Sequence, residues 1–353
     1  MRLRNVLREA GSRDDIVERV REFERQYGGE VRGERDERKT NYRDFVIEYY
    51  DLATDLYEFG WGQSFNFAGR RSGESFAAAL ARSERFLASR LELKPGMVVA
   101  DFGCGIGGPM REIARVSGAK IVGINSSPYQ IRRAEELSQV SGVAHLLEFL
   151  ECDFMNVDAP DGSFDAVFSI QSIACAPDVA RVYAEAFRVL KSGGCFAAYE
   201  YSLTDQFDAE DAGHQRIKAD LEFGGGLPDI PRQREIDAAL RQVGFELLEA
   251  RDLTAEALYD IPWYQPLVGS RLSLTGFRRS ALGRKLTNAL LWLMEWARIV
   301  PRGTARCAAL LNLSADAHAN AGEIGIFTPE YFVFARKPSS SDGPTGSAGP
   351  QGQ

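Results

Sequence analysis

The sequence predicts an α/β fold, a sheet of seven strands wound with helices and interrupted late by a helical insert. Three observations carry this. Short runs rich in Val, Ile and Phe alternate with helix-like stretches, the pattern of βα units and a parallel sheet. The first five runs are evenly spaced along the chain. The sixth and seventh are then separated by about eighty residues, far more than a turn needs, so something folded lies between them.

In chain order the expected strands are 98–101, 120–125, 146–153, 164–170, 195–201, 245–251 and 330–336. The insert runs from roughly Thr254 to Thr328 and carries an apolar stripe at helical spacing: Leu286, Ala289, Leu290, Leu293, Ala297 and Val300. The stripe reads as core packing in preference to a membrane-facing surface. Residues 1–40 form a charge-dense flank, with a helix expected over 13–27 because Ile16, Val20 and Phe23 share one face. Residues 338–353 are low-complexity Ser, Gly and Pro, which cannot bury enough apolar area to fold, so a disordered tail is expected. The expected division is flank 1–40, core with its aromatic lid 41–253, insert and last strand 254–337, and tail 338–353.

Composition narrows the function. With 353 residues, 44% hydrophobic and 26% charged, the chain can bury a core for one large domain or two. Fifty acidic against 42 basic residues leave a net charge of −8, which argues against nucleic acid as a partner. Five widely spaced cysteines with no C-x-x-C pair signal neither a disulfide framework nor a zinc site, so no metal is expected. The first residues lack the apolar core of a signal peptide, and no apolar run approaches the roughly 20 residues that span a bilayer. A cytoplasmic protein, at most peripheral to membranes, is expected.

The strongest motif is Val98-Val-Ala-Asp101-Phe-Gly103-Cys-Gly105-Ile-Gly107-Gly108-Pro109, a strand ending in an acid followed by a glycine-rich turn that opens a helix. Glycines let a ligand lie against the backbone here. Gly103, Gly105 and Gly108 satisfy G-x-G-x-x-G, a weak match to dinucleotide binding by itself. Asp101 sits where a carboxylate can meet the cationic end of a ligand. The next strand ends in Asn125, not in the ribose-binding acid that a nicotinamide site favours. A third ends in Glu151-Cys-Asp153-Phe154, an acceptor and an apolar wall suited to the edge and face of adenine. From the residues alone, Asp101 also fits a helix N-terminus, Asn125 a turn and Asp153 a cap. Cys104 reads as a small packing residue.

Together these features resemble the class I S-adenosylmethionine-dependent methyltransferases. The resemblance implies a seven-stranded Rossmann-like sheet with helices on both faces and S-adenosyl-L-methionine as cofactor. It assigns cofactor binding to Asp101, Gly103, Gly105, Gly107, Asn125, Gln130, Asp153, Phe154 and Gln171.

Upstream lies an aromatic segment, Tyr49 to Phe67, followed by Gly73-Glu74-Ser75-Phe76. A lid packed over a cofactor also forms a substrate wall. The segment Tyr57-Glu58-Phe59-Gly60-Trp61-Gly62, the Gly-Glu-Ser-Phe run, the glycine loop and Cys152-Asp153-Phe154-Met155 resemble the sterol C-24 methyltransferases. So do Tyr199-Glu200, Asp260-Ile261-Pro262-Trp263-Tyr264 with Pro266-Leu267, and Phe327-Thr328-Pro329. The likeness covers about residues 40 to 337.

The family implies methyl transfer to a sterol side-chain alkene, with a sterol or triterpenoid as partner. The alternatives are another position of the sterol skeleton or a non-sterol isoprenoid. Such chemistry needs a dry cavity without strong nucleophiles, and aromatic faces stabilise the resulting cation without reacting. Tyr57, Phe59, Trp61, Phe65 and Trp263 are candidates for that task. Glu58, Glu74 and Glu200 are candidates to receive the sterol hydroxyl or to remove the final proton. Peripheral membrane contact and a homo-oligomer are compatible with this reading.

The sequence leaves the family pattern at one wall. The family's Ile-Glu-Ala-Thr-Cys-His-Ala-Pro is Ile170-Gln171-Ser172-Ile173-Ala174-Cys175-Ala176-Pro177 here, so a carboxylate and an imidazole are gone. Arg-His-Glu-His has become Arg82-Ser83-Glu84-Arg85, and Tyr-Glu-Trp has become Tyr199-Glu200-Tyr201. Changed handling of the substrate is expected, with cofactor binding retained.

Overall fold

The computed structural model describes residues 42–256, 258–268, 281–300 and 302–339. The expected helix over 13–27 and the tail beyond 339 lie outside them. Strands β1 (Val98–Phe102), β2 (Lys120–Asn125), β3 (Leu147–Glu151), β4 (Phe164–Ile170), β5 (Leu190–Leu203), β6 (Glu246–Asp252) and β7 (Phe327–Arg336) form one sheet. Their order is β3-β2-β1-β4-β5-β7-β6. The first five pair in parallel, and β7 runs antiparallel between β5 and β6.

Ten helices accompany the strands among the described residues: α1 (Tyr42–Gly60), α2 (Phe76–Arg90), α3 (Gly108–Ser117), α4 (Pro128–Gln139), α5 (Val179–Val189), α6 (Ala212–Gly225), α7 (Gln233–Val243), α8 (Gln265–Val268), α9 (Ala281–Trp296) and α10 (Thr304–Glu323). Local chemistry sets several boundaries. Ser75 and Ser127 cap α2 and α4 by accepting from the N–H groups of Ala78 and Gln130. Pro109 opens α3, and Gly118 closes it in a left-handed conformation.

Helices cover both faces of the sheet, as expected. On one face Leu87 of α2 and Met110 and Ile113 of α3 pack against Val99 and Phe168. On the other, Val182 and Tyr183 of α5 and Ile236 and Leu240 of α7 pack against Phe196 and Val333. The strands thus bury both sides, which explains their near-continuous apolar runs.

Two expectations need correction. β5 starts at Leu190, not Cys195, because Leu190 pairs with Phe164 before a bulge through Gly193 and Gly194 shifts the register. The stripe in the insert is not core. Leu286, Leu290 and Leu293 are 54%, 55% and 52% exposed, and only Val300 is buried. α9 packs on α10 along a different side and turns this row outward.

Candidate functional site

In the order β3-β2-β1-β4 the chain reverses direction across the sheet between β1 and β4. Ligands of open α/β sheets bind in the crevice at the carboxyl ends of the strands at such a point. Here that crevice is a cleft of about 1340 Å³, counting its open mouth.

One end of the cleft is built from backbone. After β1 the chain turns through Gly103, Gly105 and Gly107 at φ of 84°, 54° and 74°. The N–H groups of Gly103 and Cys104 both donate to the Ile124 carbonyl, at 2.9 and 3.1 Å, which fixes the turn against β2. A Cβ on Gly103 would collide with Ser172, whose hydroxyl donates to the Phe102 carbonyl at 2.5 Å and ties the end of β4 to the loop. A Cβ on Gly105 would meet no protein atom within 4 Å, so the space above it is left for a ligand.

Most of the expected cofactor residues gather here. Gly103, Gly105, Asn125, Gln130, Asp153, Phe154 and Gln171 face the cleft. The Asn125 amide donates to Gln130 Oε1 at 2.8 Å, and the Gln130 amide donates to Thr54 Oγ1 at 2.9 Å, linking β2 through α4 to α1. Gly107 is the N-cap of α3, just outside the lining.

Asp101 lies beneath the loop, 3% exposed, with Oδ2 lacking a hydrogen-bond partner. Burial, followed by the nearby Glu84 carboxyl, holds its pKa well above the usual carboxylate range. Glu84 on α2 is pushed up to about 7, chiefly by burial and partly opposed by a hydrogen bond with Ser64. Two buried carboxyls crowded in this way favour a cationic ligand nearby. An orphaned acid, an open glycine turn, a bonded amide and an apolar ring beside an acid together fit S-adenosylmethionine.

The other end is aromatic. Tyr57, Trp61 and Phe65 line it, as expected, and so do Tyr50, Phe67 and Tyr201. The Trp61 indole donates to the Asn66 carbonyl at 3.1 Å and stands edge-on to Phe67 and Phe76, with ring centres 5.1 and 4.8 Å apart. Trp263 is buried behind this wall, 5.1 Å from Phe67. Phe59 is 61% exposed and does not line the cleft.

None of the three expected glutamates lines the cleft. Glu58 takes a two-point ion pair from Arg133 of α4, both contacts within 2.8 Å. Glu74 pairs with Arg82 at 2.9 Å. Glu200 follows the alternation of β5 to the face opposite Tyr199, where it accepts from the Tyr183 hydroxyl at 3.2 Å. Burial pushes it up to about 8. Motif order placed these acids near the chemistry, whereas side-chain direction turns them away from it.

At the wall where the family pattern is lost, Gln171 has a positive φ of 55°. Its Oε1 accepts from the Phe67 N–H at 2.8 Å and its Nε2 donates to the Phe67 carbonyl at 3.1 Å. An amide can do both and a carboxylate cannot, so Gln171 clamps the aromatic wall in place. Cys175 lies 3.5 Å from the Tyr50 hydroxyl, and burial raises its thiol to about 11, so it is neutral at pH 7. The sequence reading did not single out Asn66 or His318, which also line the cleft. Asn66 sits between two aromatics and belongs to no motif, and His318 stands alone in a run of small residues.

Residues 100–198 match the family model described as a methyltransferase domain, and residues 274–339 match the sterol methyltransferase C-terminal model. The chain is 45% identical over 326 residues to the cycloartenol-C-24-methyltransferase of Arabidopsis thaliana, covering 92% of this chain and 96% of that one. It is 37% identical over 336 residues to the sterol 24-C-methyltransferase of Saccharomyces cerevisiae, covering 93% and 88%. Among solved structures, a mycolic acid cyclopropane synthase superposes with a TM-score of 0.65 at 16% identity, over 84% of this chain and 98% of that one. A cyclopropane synthase from Mycobacterium tuberculosis gives 0.61 at 17%, over 83% and 96%. These two likenesses are of fold. The relatives decide the family: the chain belongs to the sterol C-24-methyltransferases.

Proposed function

We propose that this chain transfers a methyl group from S-adenosylmethionine to the side-chain alkene of a sterol, at the C-24 position. The observation that carries the reading is one cleft with two unlike ends, a glycine turn over buried acids and an aromatic chamber without a lining glutamate. When bound, the cofactor supplies an electrophilic methyl group and departs as a neutral thioether.

The chain's own residues supply the rest. Asp101 and Glu84 place two buried carboxyls beneath the loop, where a cationic ligand favours their ionised form; Asn125 holds a polar edge, and Asp153 with Phe154 offers an acceptor beside an apolar face. Tyr57, Trp61, Phe65 and Phe67 exclude water and turn π faces toward a substrate cation. Gln171 positions the Phe67 backbone between the two ends. Cys175 and Cys104 are held as thiols by burial, so neither competes for the cation as a thiolate. Incubation with methyl-labelled cofactor and a panel of sterols, with the label located by NMR, tests this. Label at C-24 is expected, and label on a ring carbon or only on an acyclic isoprenoid overturns it.

The outward row of α9 supports peripheral membrane contact as part of this function. Trp292 and Trp296 are 62% and 78% exposed beside Leu286, Leu290 and Leu293, and Arg298, Arg302 and Arg306 follow at the C-terminal end of the row. Apolar and Trp side chains bordered by basic ones suit the interface of an anionic bilayer. α10, on which α9 packs, lines the cleft through Leu311, Ser314 and His318. A sterol leaving the bilayer would therefore enter close by. Among the described residues no helix is long and apolar enough to cross a membrane. Sedimentation with phosphatidylserine vesicles should exceed that with phosphatidylcholine and fall at least tenfold in Trp292→Ser with Trp296→Ser. A concentration-dependent dimer that the same double variant dissolves, without vesicle binding, would assign the face to self-association.

A further inference from the structure

The methylated carbocation must lose a proton, and the residues expected to accept it do not face the cleft. Glu58, Glu74 and Glu200 point elsewhere, and the Gln171 amide is fully engaged with Phe67. Asp153 lies at the cofactor end, and at the aromatic end one basic atom remains among the described residues. His318 of α10 is 3% exposed and lines the aromatic end. Its Nδ1 lies 2.8 Å from the Ser314 carbonyl and 3.4 Å from the Ser314 hydroxyl; the shorter contact is to a group that only accepts, which assigns the proton to Nδ1. The lone pair is then on Nε2, which is buried and has no hydrogen-bond partner. A buried polar atom without a partner costs about 1–3 kcal/mol, a cost that is offset when a ligand supplies a proton to it.

We infer that His318, through Nε2, is the proton acceptor that ends the reaction. The inference rests on the proposed function. In the step, a C–H bond beside the cationic carbon breaks, its electron pair becomes the new C=C bond, and the proton bonds to Nε2. The imidazolium formed later returns its proton to water.

The surroundings suit both partners of that step. Phe67 stacks on the imidazole with centres 5.3 Å apart, and Tyr201, Phe327 and Trp263 stand edge-on at 6.0, 5.5 and 6.4 Å. Aromatic faces stabilise the carbocation before transfer and the imidazolium after it. The other titratable groups toward this end are Tyr50 and Tyr57 on α1, Tyr201 on β5 and Cys175 after β4. Burial raises all four, so none is charged at neutral pH. Burial also lowers His318 to about 4, which keeps Nε2 unprotonated at working pH. A weak base is sufficient, because a proton beside a carbocation is strongly acidic, and weak basicity limits capture of the cation by nitrogen.

His318→Gln keeps a polar side chain of similar reach and removes the base. With labelled cofactor and the sterol that wild type accepts, kcat should fall at least about 100-fold. KM should stay within about threefold, and the ratio of alkene isomers should change. Unchanged kcat and products overturn the inference. A raised KM with unchanged kcat also overturns it, assigning Nε2 to a substrate hydroxyl. Should the variant fail a thermal melt, nitrogen NMR of wild type decides: a neutral ring with the proton on Nδ1 supports the role, and a proton on Nε2 at neutral pH overturns it. Wild type that binds cofactor but methylates no sterol sinks the proposed function itself, whereas an active His318→Gln sinks only the base.

Discussion

The two ends of the cleft are made in different ways. The cofactor end comes from a contiguous loop and the tips of adjacent parallel strands, with backbone N–H and C=O groups setting its shape. The chamber end is assembled from α1 and its following loop, the turn after β4, β5 and α10, segments far apart in the chain. Backbone-built sites tolerate little except glycine, whereas side-chain chambers hold their shape through mutual packing. The chamber can therefore change its chemistry one residue at a time while the loop stays fixed; Cys175 and Tyr201 stand on the chamber side, and Gln171 where the two ends meet.

Five measurements test that contrast. Glu200 lies behind the sheet, outside both ends, and its pKa is raised from 4.5 to about 8. A carboxyl raised on folding stabilises the fold fully below its unfolded value, and this is lost as pH rises through the folded one. Wild-type stability should therefore drop by up to about 5 kcal/mol from pH 4 to pH 9 through this group, and Glu200→Gln should flatten the curve while leaving transfer within threefold. A collapse of kcat in that variant would extend the chamber through the sheet.

Trp61→Ala removes the ring between Phe67 and Phe76. Denaturant melts should show a loss of about 3–5 kcal/mol, and transfer should fall far more than S-adenosylhomocysteine affinity measured by calorimetry. Equal losses would erase the distinction between the ends. Gln171→Glu keeps the acceptor for the Phe67 N–H but opposes a carboxylate to the Phe67 carbonyl, so stability should decline by about 1–3 kcal/mol. Paired with Cys175→His, it should change substrate preference or product ratio; identical products at similar rates would make this wall purely structural.

Gly105→Val places a branched side chain at φ 54° in the open space of the turn. S-adenosylhomocysteine affinity should weaken at least tenfold, or about 1.4 kcal/mol. Tight binding of NADH by wild type would sink the cofactor assignment. Glu58→Gln loosens a half-buried ion pair away from the cleft, and should cost about 1 kcal/mol or less with kcat nearly unchanged.

These same ends differ in how far sequence exposes them. The glycine loop, Asn125 and Asp153 were legible because each sits at the end of an apolar run, where strand termini point into the crevice. The strands themselves were legible because parallel strands buried on both faces leave unbroken apolar runs. Glu58 and Glu200 misled because their motif neighbours Tyr57 and Tyr201 do reach the cleft. One residue along a helix or strand is enough to turn a side chain away. His318 carried no signal, since nothing local tells a buried base from a buried spacer. The row on α9 has the helical period of a core face, and periodicity fixes a shared side without saying what covers it.

The position of β7 bears on how this protein is made. Of the seven described strands β7 is made last, yet it occupies an interior place between β5 and β6. Until it emerges, β5 presents an unpaired edge and β6 has no neighbour to hold it, so the six strands made before it cannot finish the sheet. Long-range pairing of this kind is slow and leaves strand edges open to other chains. Truncation shortly before Phe327 should yield an aggregating product that engages chaperones, and synthesis of β7 is the event that lets the sheet close.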